Sequence, residues 1–174
     1  MKLKGVIVDA DFCIKVGASS KYRYLEKLLG ILSEKTYIHR TVYDEIQYPL
    51  SAKEQIDTLI YRGIVRIIDE SILDQDERIL YRWTCSELAK VMANPRRPRK
   101  NLGEICSIAM AKTKSIPYFA TDEKDLQPII DKLLNTGIND IECIRIEDVV
   151  KLIRNGVIEG FTRKEARSAV EAGR

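Results

Sequence analysis

The sequence has few residues that bind transition metals, and those it has are not grouped. Its 174 residues include one His and four Cys, and no two cysteines form a C-x-x-C pair. A zinc site built from spaced ligand pairs is therefore not expected. Cysteines without a pairing pattern are typical of buried, reduced thiols, which predicts a cytoplasmic protein.

Long apolar stretches are also lacking. The N-terminal MKLKGVIVDADFC contains a short apolar run that an acid interrupts, which is not the pattern of a signal peptide. No stretch reaches the ~20 apolar residues that span a bilayer. We therefore expect no membrane partner.

The chain has no large excess of charge of either sign. Its 29 basic and 26 acidic residues leave a net charge of +3, which is too small to indicate a polyanionic partner. Any nucleic-acid interaction must therefore depend on a local cluster of charge. With 45% hydrophobic residues, a chain of this length can form one domain with a substantial core.

Short apolar stretches alternate with segments of helical periodicity. Strands are predicted at residues 3–8 and at TYIHRT, IVRIID, IPYFA and IECIRI. Helices are predicted over residues 11–17, 19–33, 41–48, 51–62, 73–92, 103–114, 123–134, 147–155 and 162–172. Thr41 is an expected N-cap, and Thr162 with Glu165 fits a capping box. This alternation predicts an α/β protein, a three-layer α/β/α sandwich with a mostly parallel central sheet and extra C-terminal helices.

Acidic residues recur at one edge of this predicted sheet. Asp9 ends the first strand, Glu45 lies in the helix after the second, and Asp122 and Glu123 follow the fourth. Glu104 begins the helix that leads into the fourth strand and runs antiparallel to it, so it reaches the same edge. Because ligands of open α/β sheets bind beyond the carboxyl ends of the strands, these acids are candidate site residues.

Several of these residues also have a purely structural interpretation. Asn101 and Glu104 fit a capping box, Thr121 is a good helix N-cap, and Asp11 can cap the turn after the first strand. Asp9 differs, because an unpaired carboxylate at the end of a buried strand is costly. A ligand role is therefore favoured most strongly for Asp9.

Clustered carboxylates repel one another and need a counter-charge. No basic residue stands beside Asp9 or Glu104 in the sequence. Oxygen ligands without His or Cys suit Mg²⁺ or Mn²⁺. Such an ion can activate a water molecule and stabilise the leaving oxygen of a phosphodiester, which is nuclease chemistry without a nucleophilic side chain.

A run of basic residues precedes Glu104. The segment NPRRPRKN contains Arg96, Arg97, Arg99 and Lys100. Cations at this place can neutralise the phosphates that flank a scissile bond, so these four are candidate RNA-binding residues. The alternative is a solvated basic loop or a signal for another partner.

Four short motifs resemble those of PIN domains, the metal-dependent ribonucleases found among toxins of toxin–antitoxin pairs and among RNA-processing enzymes. The motifs are VIVDADFCIK, IHRTVYDEI, NLGEICSIAMAK and YFATDEKDL, and they cover roughly residues 3–146. The resemblance implies an endoribonuclease that leaves 5′-phosphates. It implies catalytic roles for Asp9, Glu45, Glu104 and Asp122, and metal-ligand roles for Asp9, Glu104, Asp122 and Glu123.

Two positions depart from the family pattern. Asp11 stands where the family has a small polar residue; it could add a ligand or cap the helix, and the cap is favoured. After the fourth strand the family's acid corresponds to Glu123, but Asp122 is adjacent, and the choice between them stays open. Asp11, Thr121 and Asp125 are expected to support the ligands.

The resemblance also divides the chain. It implies a nuclease domain at residues 1–146 and a helical extension at residues 147–174 that packs on the same domain. The extension could serve as extra helices, form a dimer contact or bind an antitoxin protein. RNA is the implied substrate, and an antitoxin and a second copy of the chain are the implied partners.

Two other functions fit parts of the sequence. Asp9-Ala-Asp11 after a strand resembles the nucleophile motif of haloacid-dehalogenase-type phosphatases, in which Asp9 would attack phosphorus. Phe12 and Cys13 do not suit that motif, and it leaves Glu45 without a role. The other alternative is a PIN-like domain that binds RNA or protein without catalysis.

Overall fold

Five parallel strands form the centre of the protein. A computed structural model describes residues 1–172, and its single sheet has the order β3-β2-β1-β4-β5 with every neighbouring pair parallel. The strands are β1 (Val6–Val8), β2 (Thr36–His39), β3 (Val65–Ile68), β4 (Tyr118–Ala120) and β5 (Glu142–Ile144). The predicted α/β class is confirmed, and the sheet is wholly rather than mostly parallel.

Helices cover both faces of the sheet. They are α1 (Ala10–Val16), α2 (Tyr24–Leu32), α3 (Arg40–Glu45), α4 (Leu50–Tyr61), α5 (Gln75–Met92), α6 (Leu102–Lys114), α7 (Leu126–Leu133), α8 (Ile146–Arg154) and α9 (Arg163–Ala172). In β1, Val6 and Val8 join one buried cluster with α1, α2, α4, α8 and α9, whereas Ile7 joins a second cluster with α5, α6 and α7. Alternate side chains of a strand point to opposite faces, so the two clusters are the two cores of a three-layer sandwich.

Some helix boundaries differ from the prediction because side chains satisfy the backbone differently. The helix expected from residue 19 begins only at Tyr24, since the Ser19 hydroxyl accepts a hydrogen bond from the Tyr22 N–H at 3.2 Å and holds a turn there. Thr41 is not an N-cap. His39 occupies that position, and its Nδ1 accepts a hydrogen bond from the Thr41 N–H at 3.1 Å.

The last two helices contribute to the same core as the sheet. Val149 and Ile153 of α8, and Phe161 just before α9, are buried in the cluster that contains Val6. The capping box predicted at Thr162 is present: its N–H donates to Glu165 Oε2 at 2.8 Å, and its hydroxyl accepts from the Glu165 N–H at 3.1 Å. Residues 173 and 174 of the expected extension lie outside the described residues.

None of the helices within residues 1–172 combines the length and the apolar character that crossing a bilayer requires.

The packing of α4 gives a matched pair of substitutions. Leu59 is fully buried, whereas Tyr61 at the end of the same helix is 93% exposed. Leu59→Ala should lower the free energy of unfolding by about 2 to 5 kcal/mol, because it leaves a cavity in the core. Tyr61→Ala should change it by about 0.5 kcal/mol or less. Urea denaturation measures both, and equal effects would contradict the assignment of this core face.

Candidate functional site

The Asp9 carboxylate is buried at the carboxyl edge of the sheet. Asp9 follows β1 directly, and its N–H donates to the Ala120 carbonyl of β4 at 2.9 Å, which extends the strand pairing by one residue. Only 2% of Asp9 is exposed, and within residues 1–172 it makes no ion pair. The sheet therefore holds a carboxylate where burial penalises its charge.

Thr121 contacts Asp9 from the neighbouring strand. Its hydroxyl donates to Asp9 Oδ2 at 3.4 Å and accepts from the Glu123 N–H at 3.2 Å. The expected N-cap role for Thr121 is wrong, because α7 begins later, with Asp125 at its N-cap. Thr121 instead orients Asp9 and fixes the backbone at Glu123.

The predicted capping box at the start of α6 does not form. Asn101 has the left-handed φ of 64°, and its side chain donates to the Met92 carbonyl at 2.8 Å instead of capping α6. Glu104 in the first turn is therefore available to the neighbouring acids. Burial, and next the charges of Glu123 and Asp11, raise the pKa of Glu104, while the Lys100 ammonium opposes the rise.

Glu45 contacts the same helix end. A Cβ atom at Gly103 would lie 2.9 Å from Glu45 Oε1, so a larger residue there would displace the Glu45 carboxylate from this close approach. The Gly103 N–H donates a hydrogen bond to the Glu45 carboxylate, which favours its charged form. Burial and the charge of Glu104 have the larger effect and raise the pKa of Glu45 to about 7.

Mutual repulsion is strongest at Asp9. Burial, followed by the charges of Glu104, Glu45 and Asp11, raises the pKa of Asp9 to about 8, although the Ala10 N–H opposes the rise. Segments that are far apart in the sequence thus bring their acids together at one edge, as the sequence predicted for Asp9, Glu45 and Glu104. The cluster has an excess of negative charge that a cation would relieve.

Asp11 and Asp122 are paired with cations, although the charge of Asp11 also acts on Asp9 and Glu104. Lys15 Nζ lies 3.1 Å from Asp11 Oδ2 and 2.7 Å from Asp122 Oδ2, and Arg145 Nη2 lies 3.6 Å from Asp122 Oδ1. The expected cap role for Asp11 is wrong, because Asp9 occupies the N-cap of α1 and Asp11 lies in the first turn.

Sequence reasoning overlooked the two cations of these pairs. Lys15 stands four residues after Asp11 on the same helix, a spacing that brings side chains together. Arg145 directly follows β5 and therefore reaches the same sheet edge as the acids. Both signals place a cation near this edge, but the pairing of these cations with Asp122 rather than Glu123 depends on the packing of distant segments.

Asp125 is not brought into the acidic cluster in the same way. It lies at the N-cap of α7 without a side-chain capping bond. It is not among the charges that act most strongly on Asp9, Glu45 or Glu104. No contact within residues 1–172 therefore supports the expectation that Asp125 holds the ligands in place.

The acids can serve a Mg²⁺ or Mn²⁺ ion only in an open arrangement. Within residues 1–172, no three His, Cys, Asp or Glu side chains are already grouped as the shell of one ion. Mg²⁺ commonly takes only one or two protein carboxylates and completes its shell with water and phosphate oxygens. The buried Asp9 carboxylate has no cationic partner within residues 1–172, and the pKa of the nearby Glu104 carboxyl group is also raised. This arrangement fits such a site.

The basic segment forms an exposed connection between α5 and α6. Two turns shape it, since the Arg97 N–H donates to the Asn94 carbonyl at 3.0 Å and the Lys100 N–H donates to the Arg97 carbonyl at 2.9 Å. Among the ion pairs of residues 1–172, none involves Arg96, Arg97, Arg99 or Lys100. The four cations are therefore available to an anionic ligand, and Lys100 is close enough to influence Glu104.

The single histidine ends β2 and is unsuited to proton transfer at neutral pH. Since His39 Nδ1 accepts from the Thr41 N–H, its proton lies on Nε2, which donates to the Tyr81 hydroxyl at 3.0 Å. Burial lowers the pKa of His39 to about 4, so the ring is neutral near pH 7. Cys106 is within hydrogen-bond reach of Tyr81, Cys85 and Thr41, which ties α5 to α6 below the site.

Comparison with known proteins adds no family assignment. No protein-family model matches the chain, and no curated protein matches it significantly. The resemblance to PIN domains therefore stays a prediction from four short motifs.

The raised pKa of Asp9 gives a stability prediction for the metal-free protein. The folded state keeps the Asp9 proton up to about pH 8, whereas an unfolded chain releases it near 3.8. Between these values the folded state binds more protons than the unfolded chain. The contribution of Asp9 to the stability of the folded state is therefore complete below about pH 3.8 and is lost as the pH rises to about 8. Asp9→Asn should therefore raise the free energy of unfolding at pH 8 by up to about 5 kcal/mol, and by about 1 kcal/mol or less at pH 4.

Denaturation in EDTA at several pH values measures this difference. Comparing the variant with the wild type cancels the opposite contribution of His39, whose lowered pKa destabilises the folded state only as the pH falls from 6.5 towards 4. Asp122→Asn is the control, and it should not stabilise because Lys15 and Arg145 already neutralise Asp122. A constant difference between pH 4 and pH 8 would contradict the repulsion at Asp9.

Proposed function

We propose that this protein is a Mg²⁺- or Mn²⁺-dependent endoribonuclease of the PIN type. The observation that carries the proposal is the buried Asp9 carboxylate, which has no cationic partner within the described residues and is repelled by Glu104 and Glu45. A protein that kept these groups for stability alone would gain by pairing them, as it has paired Asp122. The arrangement is better explained by a ligand that carries positive charge.

The ligand roles are assigned by contact and charge. Asp9 and Glu104 are the principal metal ligands in this proposal, since Glu104 is the charge that raises the pKa of Asp9 most strongly. Glu123 is favoured over Asp122 as the further ligand, because its charge acts on Glu104 whereas Asp122 is held by Lys15 and Arg145. A bound ion would supply Lewis-acid activation of water and charge neutralisation at the phosphate.

Glu45 is suited to proton transfer. Its pKa of about 7 lets it accept a proton near neutral pH, which a general base must do. In the proposed reaction a water oxygen forms a bond to phosphorus while its proton passes to Glu45. The bond from phosphorus to the 3′ oxygen breaks, and that oxygen takes a proton from solvent. The products are a 5′-phosphate and a 3′-hydroxyl, as the PIN resemblance implies.

The basic segment would hold the RNA backbone. Its four cations precede Glu104 by a few residues and carry no ion pairs within residues 1–172, so they can meet phosphates on either side of the scissile bond. RNA as the substrate and an antitoxin as a protein partner follow from the resemblance to toxin-type PIN domains. The four free thiols suit the proposed cytoplasmic setting.

Substitution of Asp9 tests catalysis directly. Asp9→Asn should lower Mn²⁺-dependent cleavage of a single-stranded RNA by about 100-fold or more while the circular dichroism spectrum is unchanged, because a principal ligand is lost. Glu123→Gln should cost about tenfold or more, whereas the adjacent control Asp122→Asn should cost less. A gel assay with 5′-end analysis measures both the rate and the product ends.

Three results would contradict the proposal, and the last two of them would identify another function. Retained metal-dependent cleavage by Asp9→Asn would contradict the nuclease site. A phosphoaspartate trapped on Asp9 would instead identify a phosphatase. If calorimetry detects no Mn²⁺ binding and wild type and variant bind RNA equally, the domain binds without catalysis.

Neutralising the basic segment tests RNA binding. Replacing Arg96, Arg97, Arg99 and Lys100 by Gln should weaken binding of a short single-stranded RNA. It should also reduce the slope of log K against log salt by up to about 3, since each phosphate contact on a single strand contributes about 0.7. Fluorescence anisotropy at several salt concentrations measures this slope.

The matched control removes the same charge elsewhere. The four control residues are exposed and make no ion pair within residues 1–172; they are Lys132, Arg154, Arg163 and Lys164. Their replacement by Gln should leave the slope nearly unchanged. Equal effects of the two quadruple variants would show that the basic segment has no special role.

A further inference from the structure

Two of the four cysteines meet at the contact between α5 and α6. Cys85 lies on α5 and Cys106 lies on α6, and their side chains are within hydrogen-bond reach of each other. Both thiols are free, and both residues are partly exposed rather than fully buried. Within residues 1–172 they are not grouped with a third His, Cys, Asp or Glu side chain as the shell of a metal ion. The pair is therefore a dithiol that a small reagent can reach.

The surrounding side chains hold the two thiols in place. Tyr81 lies one turn before Cys85 on α5, and its hydroxyl accepts a hydrogen bond from His39 Nε2 at 3.0 Å. Cys106 is also within hydrogen-bond reach of Tyr81 and of Thr41. Because these contacts join α3, α5 and α6, both thiols are positioned by packed helices rather than by a loop.

The other two cysteines have no thiol partner among the described residues. Cys13 is fully buried on α1, and Cys143 is partly buried on β5. No cysteine is among the groups that act on either thiol. Thiols that are far apart cannot be bridged without movement of the backbone. Cys85 and Cys106 are therefore the pair at which a disulfide can form in the folded protein.

We propose that Cys85 and Cys106 form a redox switch, in which hydrogen peroxide converts the dithiol into a disulfide that lowers the activity of the candidate site. The effect on activity rests on the nuclease function proposed above, whereas formation of the disulfide does not. Free thiols with a second thiol in contact are the arrangement in which oxidation stops at a reversible disulfide.

The reaction consumes one peroxide for each disulfide. The sulfur atom of one thiol attacks a peroxide oxygen, the O–O bond breaks, and a sulfenic acid and a water molecule form. The second thiol sulfur attacks the sulfenic sulfur, the S–O bond breaks, and the S–S bond and a second water molecule form. The two sulfur atoms lose two electrons, which the peroxide oxygens gain, and both thiol protons leave in the water molecules. A dithiol reductant reverses the change by thiol–disulfide exchange.

The disulfide acts on the site through the start of α6. An S–S bond is only about 2 Å long, so closing it draws Cys106 towards α5. Cys106 lies two residues after Glu104 on the same helix. This helix end has little free space, since a Cβ atom at Gly103 would lie 2.9 Å from Glu45 Oε1. Ligands and catalytic groups must be held to within about 0.5 Å of their working positions, so the shift should slow the reaction.

Peptide mapping of the folded full chain after peroxide treatment tests the disulfide. The wild type should lose the mass of two hydrogen atoms and give one linked pair of tryptic peptides, residues 83–90 with residues 101–112, which contain Cys85 and Cys106. Cys143→Ser is the matched control, because this thiol is also partly buried but has no thiol partner, and it should form the same bond. Cys85→Ser should form no bond and should leave a sulfenic acid on Cys106 that dimedone labels. A wild type without the linked pair, or with another pairing, would overturn the inference.

The rate of Mg²⁺-dependent cleavage of a single-stranded RNA tests the switch. The oxidised wild type should cleave about tenfold more slowly than the reduced protein or worse, because the reacting groups are displaced, and dithiothreitol should restore the rate. The double variant Cys85→Ser with Cys106→Ser should keep its rate in peroxide. An oxidised wild type that cleaves as fast as the reduced protein would overturn the switch. If the reduced protein cleaves no RNA, the proposed function fails and the effect on activity fails with it, while the mapped bond still supports the disulfide.

Discussion

The repulsion among buried carboxylates at the carboxyl edge of the sheet is the constraint on which the rest of the site depends. Parallel strands place Asp9 beyond β1, where the neighbouring strands exclude water from its side chain. This burial, and next the charges of Glu104 and Glu45 at the same edge, raise the pKa of Asp9 to about 8. Such an arrangement destabilises the metal-free protein near neutral pH, and a cation would reverse that cost.

The acids at this sheet edge differ in whether a cation is paired with them. Asp122 and Asp11 are within ion-pair distance of Lys15, and Asp122 also meets Arg145, so this part of the edge is electrically balanced. Asp9, two residues before Asp11, has no such partner within residues 1–172. Lys15 and Arg145 thus lie at this edge without pairing with the buried Asp9, which is consistent with a ligand site at Asp9.

Prediction from the sequence succeeded where a periodic signal was strong and failed where side chains compete for backbone groups. The five strands and the long α5 follow from apolar runs and helical spacing. The N-caps predicted at Thr41 and Thr121 were wrong because His39 and Asp125 occupy the N-cap positions of α3 and α7. The capping box predicted at Asn101 does not form because the Asn101 side chain donates to the Met92 carbonyl. These choices differ by about 1 kcal/mol each, which is too little for local sequence to decide.

The order of strands and helices and the position of Asp9, Glu45 and Glu104 at one sheet edge could be predicted from the sequence, because periodicity is local and right-handed crossovers bring the carboxyl ends of parallel strands to one edge. Which of the acids are neutralised depends instead on tertiary packing. Lys15, Arg145 and Asp122 come from three segments, and their distances depend on how α1, β4 and β5 pack. Coulomb interactions depend on distance in space rather than along the chain, so no motif could separate the paired Asp122 from the unpaired Asp9.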